Sequence, residues 1–203
     1  MLAVDMWAFL AAFIPLFVIV DPILAVPVFH AMAQQHKFSR EQRRRMALEA
    51  SIVALAILLF FALVGEAFLA LIGVSMGSFR IAGGLLLLYL SFEMFSGGLP
   101  RMRAPDPSVL GAVPFGTPML AGPGAISTAI LLMNTSGIGA FYTLPAILLV
   151  CALSFLVLAH SEALHRFLGK NDFVVLTRIM GLVAAAFALE FVRRGLIDWG
   201  VLG

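Results

Sequence analysis

Residues 18–29 read VIVDPILAVPVF, which places one aspartate and two prolines in a run otherwise apolar from Trp7 to Phe29. About 20 mostly apolar residues suffice to cross a bilayer as a helix. A carboxylate at the centre of such a helix costs about 3 kcal/mol on insertion scales, and proline breaks the helical hydrogen-bond ladder. The order of these residues makes sense of the cost. Aspartate is a preferred N-cap, proline is favoured at the next position, and a residue before proline leaves helical geometry. Asp21-Pro22 therefore predicts the start of a second half-helix inside the first span, which Pro27 kinks or ends.

The rest of the chain supports the membrane reading. Of 203 residues, 62% are hydrophobic and 12% are charged, where a soluble domain carries about 25% charged residues. Eighteen Phe against two Tyr and two Trp suit a lipid-facing surface with a thin aromatic belt. The first residues hold Asp5 and no Lys or Arg, so a basic signal-peptide region is not expected and the first span is expected to persist in the mature protein. Cys151 is the single cysteine and lies in an apolar run, which excludes an intrachain disulfide and CxxC thiol-redox chemistry.

Six stretches qualify as spans, at roughly 7–31, 46–72, 76–97, 110–134, 139–160 and 174–197. The expected fold is all-α: a polytopic membrane protein of six helices, one domain over residues 1–203, with helices 1 and 4 broken. The loop KFSREQRRR, with Lys37, Arg40, Arg43, Arg44 and Arg45, belongs in the cytoplasm by the positive-inside rule. Arg101 and Arg103, then Arg166 and Lys170, fall on the same side, so both termini are expected outside; only Arg193 and Arg194 oppose this. The basic run is read as a solvated topogenic loop, with an anionic-lipid or nucleic-acid site as the alternative.

The two halves of the chain resemble each other. GEAFLALIG (65–73) matches SEALHRFLG (161–169), FRIAGG (79–84) matches TRIMGL (177–182), and SFEMFSGGL (91–99) matches ALEFVRRGL (188–196). Asp21-Pro22 answers Gly122-Pro123, and Pro15 answers Pro114, at offsets of 96 to 101 residues throughout. Repeat 1 (about 1–100) and repeat 2 (about 108–203) each hold three spans, and an odd number forces the second copy to enter the membrane inverted. Inverted repeats with discontinuous helices at matching positions are the recurrent plan of secondary transporters, with a midplane substrate site at the repeat interface.

The second break, GTPMLAGPGAIST (116–128), has Pro118, Gly122, Pro123 and Gly124 within seven residues. Gly122-Pro123 repeats the cap-then-proline order of Asp21-Pro22. Half-helix N-termini present N–H groups and a positive dipole end to a carboxylate, while unwound carbonyls accept an ammonium group or a cation. Such a site suits a small zwitterion. The candidate substrate-binding residues are Asp21, Pro22, Gly122, Pro123, Gly124, Ser127 and Thr128. A packing kink is the alternative for either break alone. Asp21 is either a cap only or a proton- or cation-binding carboxylate, and Ser127 and Thr128 either line the site or bond back to their own helix.

Glu66 and Arg80 flank the turn after Gly73, and Glu162 and Arg178 flank an expected turn after Gly169. Both couples are expected to form structural ion pairs between adjacent helices. Glu93 and Glu190 are repeat partners read as interfacial, with gating or coupling as the alternative. Gly83-Gly84 and Gly181 are read as sites of close helix packing. His30 and His160 have no metal-ligand spacing, so no metal is expected. The chain has no P-loop, nucleophile elbow or HExxH, and no aqueous domain to carry one, so it is not expected to be an enzyme.

The DPxxxxPxF of span 1, FRIAGG of span 3, PxxAGPGAI of span 4 and RIMG of span 6 resemble the MarC family of bacterial inner-membrane proteins over the full length. Some members of that family are similar to transporters of small neutral amino acids such as glycine and alanine, and the family is distantly similar to LysE-type exporters. The resemblance implies a multi-pass bacterial inner-membrane protein, in which termini placed outside by the positive-inside rule are periplasmic. Many relatives carry Asn-Pro where this chain has Asp21-Pro22; Asn caps equally well and cannot titrate, which favours the capping role. Relatives often have Gln and Asn near Glu190 and Arg194, and RMRAPDPSV is short beside some members' loops.

Together these readings predict a secondary transporter or exporter of a small neutral amino acid or similar metabolite. It needs no cofactor beyond a coupling ion, proton or sodium; its partners are the substrate and the bilayer, with a homo-oligomer open and no nucleic acid. A small-solute channel and a non-transporting membrane scaffold are the alternatives.

Overall fold

The computed structural model describes residues 5–95 and 119–201. Gly97, Arg101, Arg103, Pro114 and Pro118 lie outside the described residues, as do the side chains of Glu93, Arg166 and Lys170. The described chain is helical between short turns: α1 (Met6–Val20), α2 (Pro22–Gln35), α3 (Arg40–Leu71), α4 (Met76–Phe95), α5 (Pro123–Met133), α6 (Gly139–Ala159) and α7 (Ser161–Asp198).

Each boundary has a local cause. Asp5 accepts the Trp7 N–H at 3.0 Å and starts α1. Ser39 and Gln42 form a reciprocal capping box at the start of α3, each side chain bonding the other's backbone N–H. Gly73, with φ of +70°, ends α3 in the left-handed conformation, while the Val74 N–H reaches back to the Leu69 carbonyl at 3.0 Å.

The first span breaks at Asp21, as its sequence predicts. The Asp21 N–H closes α1 on the Phe17 carbonyl at 3.0 Å, and its Oδ1 caps α2 by accepting the Leu24 N–H at 3.1 Å. One residue ends one helix and begins the next. It does so with φ 38° and ψ 68°, the left-handed region that Asp and Asn tolerate best among residues bearing a side chain. Pro27 lies inside α2 and does not end it.

Packing separates lipid-facing from buried surfaces. On α3, Ala47, Ala50, Ala54, Leu58, Ala62, Gly65 and Leu69 are buried at helical spacing. This face of α3 packs against α6, whose buried stripe runs Thr143, Ala146, Ile147, Val150, Cys151, Ser154 and Leu158, and against α5, where Gly65 meets Ile130. Ile52, Leu63, Leu85, Leu182 and Leu189 point outward instead. Large apolar side chains turned outward on every long helix are the pattern of a lipid-solvated bundle. Helix α2 is buried almost all round, at Pro22, from Leu24 through His30 and again at Met32 and Ala33, and forms the middle of the bundle. Most of α5 is buried too. Both half-helices that follow a break therefore lie at the centre.

Among the described residues, Met6–Gln35, Arg40–Leu71 and Gly139–Ala159 are long and apolar enough to cross a bilayer, and Met76–Phe92 and Pro123–Met133 are shorter apolar helices. The chain is a multi-pass integral membrane protein. One expected boundary is corrected. No turn follows Gly169: the chain bends at His160 and then continues through Gly169 as the 38-residue α7, about 57 Å long. The expected turn rested on the match to Gly73. A helix-interior glycine costs only about 1 kcal/mol, so a matched glycine does not by itself stop a helix.

Long-range polar contacts define two ends of the bundle. At the first end, the Asp5 N–H donates to the Tyr142 hydroxyl at 3.1 Å, Asn134 donates to Glu66 at 2.9 Å, and the Trp199 indole donates to Ser75 at 3.2 Å. At the second end, Arg43 pairs with Glu162 at 3.1 Å, next to the basic turn between α2 and α3. Helices α4 and α7 run antiparallel in close contact. A Cβ on Gly77 would lie 2.9 Å from the Gly195 carbonyl oxygen, and one on Gly84 would lie 2.7 Å from that of Ala188. Only glycine lets the two backbones approach so closely.

Candidate functional site

The two helix breaks meet at one cavity of about 40 Å³. Asp21 and Leu24 reach it from the first break, and Met119, Gly122, Pro123, Gly124 and Ala125 from the second. Gly83, Leu87 and Leu90 of α4 and Ala184, Phe187 and Phe191 of α7 close the remaining walls. At roughly 10–15 Å³ per water, the space holds a few waters.

At the second break the backbone is π-helical at Met119 and Leu120, bends at Ala121 and restarts as α5 with Gly122 as N-cap and Pro123 as the first helical residue. Gly122 is extended, with φ −75° and ψ 165°, and no side chain caps α5. The difference from the first break is chemical. Asp21 supplies the N-terminus of α2 with a carboxylate oxygen, whereas the first-turn N–H groups of α5 have no such partner and keep their affinity for an anion.

Two glycines make this meeting possible. Gly83 faces the ring of Pro123, and Gly124 faces the ring of Phe191; a Cβ on either glycine would overlap the ring opposite. The start of α5 is thereby wedged between α4 and α7. Gly83 and Gly84 both serve close packing, as expected, with Gly83 also on the cavity wall, and Gly181 is buried.

Of the seven candidate residues, Asp21, Gly122, Pro123 and Gly124 share the cavity wall. Pro22 is buried at the start of α2 and is not part of that wall. Ser127 is buried, and its hydroxyl donates to the Gly124 carbonyl at 3.1 Å, the back-bonding alternative. Thr128 is half-buried, away from the cavity. Leu24, Leu87, Phe187 and Phe191 were not legible as wall residues. Each is one apolar side chain among many, and only the packing of α4 and α7 brings them here.

Both expected ion pairs are corrected. Glu66 accepts from Asn134, while Arg80 pairs with Asp198 at 2.7 Å. Helix α4 packs most extensively on α7, not on the preceding α3, so the cation finds its carboxylate there. Glu162 pairs with Arg43, and exposed Arg178 lies on the same helix about four turns further along, out of reach. Glu190 accepts both Nε and Nη2 of Arg193 at 2.8 Å and Nε of Arg194 at 2.7 Å.

Comparison with known proteins identifies the family. The family model for MarC family integral membrane proteins matches residues 6–199. A UPF0056 membrane protein of Methanocaldococcus jannaschii is 36% identical over 201 residues, covering 95% of this chain and 97% of the relative. A UPF0056 membrane protein of Aquifex aeolicus is 31% identical, covering 93% of this chain and 92% of the relative. One of Escherichia coli is 32% identical, covering 91% and 89%. No solved structure matches the chain. The chain belongs to the MarC family of integral membrane proteins.

Proposed function

We propose that the protein is a secondary transporter that moves a small neutral amino acid, glycine- or alanine-like, or a similar metabolite across the cytoplasmic membrane by alternating access. The observation that carries this reading is the single cavity lined by both helix breaks, Asp21 on one side and Gly122, Pro123 and Gly124 on the other. The substrate carboxylate docks on the uncapped first turn of α5, and its ammonium group docks on the carbonyls freed at the breaks. The apolar walls from Leu87, Phe187 and Phe191 favour a small side chain. A cavity lined from both breaks supports a substrate path over a scaffold, and counterflow separates a carrier from a pore.

In this reading the two halves are inverted repeats, and rocking of one against the other exposes the cavity to either side. The antiparallel contact of α4 with α7, the third helices of the two halves, is the contact an in-plane twofold axis produces. The basic end, with Lys37 and Arg40 to Arg45, faces the cytoplasm, and both termini face outward. Arg193 and Arg194, which oppose that orientation by count, are partly neutralised by Glu190. The protein carries out no covalent chemistry.

Reconstitution into liposomes with labelled glycine, alanine, serine and larger amino acids, under imposed proton and sodium gradients, tests the proposal. A carrier shows saturable uptake accelerated by unlabelled substrate on the far side. Unsaturable flux without trans-stimulation identifies a channel.

A further inference from the structure

We infer that the cleft between the start of α3 and the end of α6 is a binding site for the headgroup of an anionic phospholipid. The cleft holds about 630 Å³ and is lined by Arg40, Glu41 and Arg44 of α3 and by Phe155, Leu156, Ala159 and His160 at the end of α6. It is separate from the central cavity and shares no residue with it.

Other groups at this end are already committed. Arg43 donates to the Phe38 carbonyl at 3.1 Å and pairs with Glu162, Arg45 pairs with Glu49 at 3.0 Å, and the α3 cap is satisfied by Ser39 and Gln42. Among the described residues, Arg40 and Arg44 have no carboxylate partner. They lie one helical turn apart on α3 and both line the cleft. Glu41 is the one acidic group on its rim, against two cations.

Depth selects a lipid. Helix α3 has 32 residues and is about 48 Å long, against a hydrocarbon core of about 30 Å. Its apolar run begins at Met46, so Arg40 and Arg44 stand beyond the hydrocarbon, at headgroup level. Beside them Leu156 is about half exposed and Phe155 partly so, an apolar wall for the upper acyl chains. Two guanidinium groups over an apolar wall match a phosphodiester joined to hydrocarbon, which is how basic clefts between membrane helices hold anionic headgroups.

The test uses the full chain purified in detergent and titrated with dioleoylphosphatidylglycerol, dioleoylphosphatidylcholine or inorganic phosphate, with bound ligand read by native mass spectrometry. Phosphatidylglycerol is retained, and the other two are not. The double variant Arg40→Gln/Arg44→Gln weakens retention roughly thirtyfold, about fivefold per guanidinium. Arg45→Gln, which removes a cation already paired outside the cleft, changes it less than about twofold. Circular dichroism checks folding, and the single variant Arg44→Gln, with a loss of about fivefold, carries the test if the double variant does not fold. Equal retention of phosphatidylcholine, binding of inorganic phosphate as tight as that of the lipid, or an equal loss in Arg45→Gln would each overturn the site.

Discussion

Asp21 accepts the backbone N–H of Leu24 at 3.1 Å while its own backbone sits in the left-handed region at φ 38°. The two facts together explain why an acidic residue stands in the middle of a membrane span. Asn satisfies both and Ala satisfies neither. Asp21→Asn should therefore keep both the fold and transport. Asp21→Ala should lose about 1 kcal/mol for the cap and about 1–2 kcal/mol for the left-handed backbone. Thermal unfolding in detergent distinguishes them, and equal destabilisation by the two substitutions would mean that the charge matters more than the cap.

The contact of Gly124 with Phe191 gives a second prediction. Gly124→Ala should destabilise the protein by about 1–3 kcal/mol through overpacking, and Phe191→Leu in the same chain should restore part of that loss. Additive losses in the double variant would show that the ring is not the obstacle.

Along the α4–α7 seam the obstacle is backbone, which cannot move aside as a side chain can. Gly84→Leu should therefore cost more than Gly65→Ala, where the neighbour is the flexible end of Ile130. Gly73→Asn meets open space and a left-handed φ that Asn accepts, so it should change stability by less than about 1 kcal/mol. Melting temperatures of the three variants give the order directly.

A double-mutant cycle on Arg80→Gln and Asp198→Asn should return a coupling of about 1 kcal/mol or less, because both side chains are partly open to solvent. The same cycle on Arg80→Gln and Glu66→Gln should return none. A larger coupling to Glu66 would restore the pairing of adjacent helices that the sequence suggests.

These outcomes follow the division between what the sequence discloses and what it hides. Both breaks were legible because Asp-Pro and Gly-Pro act through backbone rules that hold within four or five residues. The left-handed turn at Asp21 was not, since the residue before proline is ordinarily extended. The ion pairs were assigned to neighbours in the chain, but the partner of Arg80 depends on which helices pack, and that is decided by the glycine and alanine surfaces of α4 and α7. The length of α7 was hidden by a match between Gly169 and Gly73 that does not extend to backbone conformation. Within the cavity, the glycines and Asp21 announced themselves, whereas Phe187 and Phe191 could not be told from the other sixteen phenylalanines.

The central claim is that the cavity between the two breaks is where substrate sits. Counterflow in liposomes, comparing the native chain with Ala125→Val and Ala184→Val, tests it most directly, because each substitution adds methyl groups to the cavity wall from a different helix. The native protein should show saturable, trans-stimulated uptake of a small neutral amino acid, and both variants should lose it with folding retained. Uptake by well-folded Ala125→Val and Ala184→Val at the native rate would contradict it.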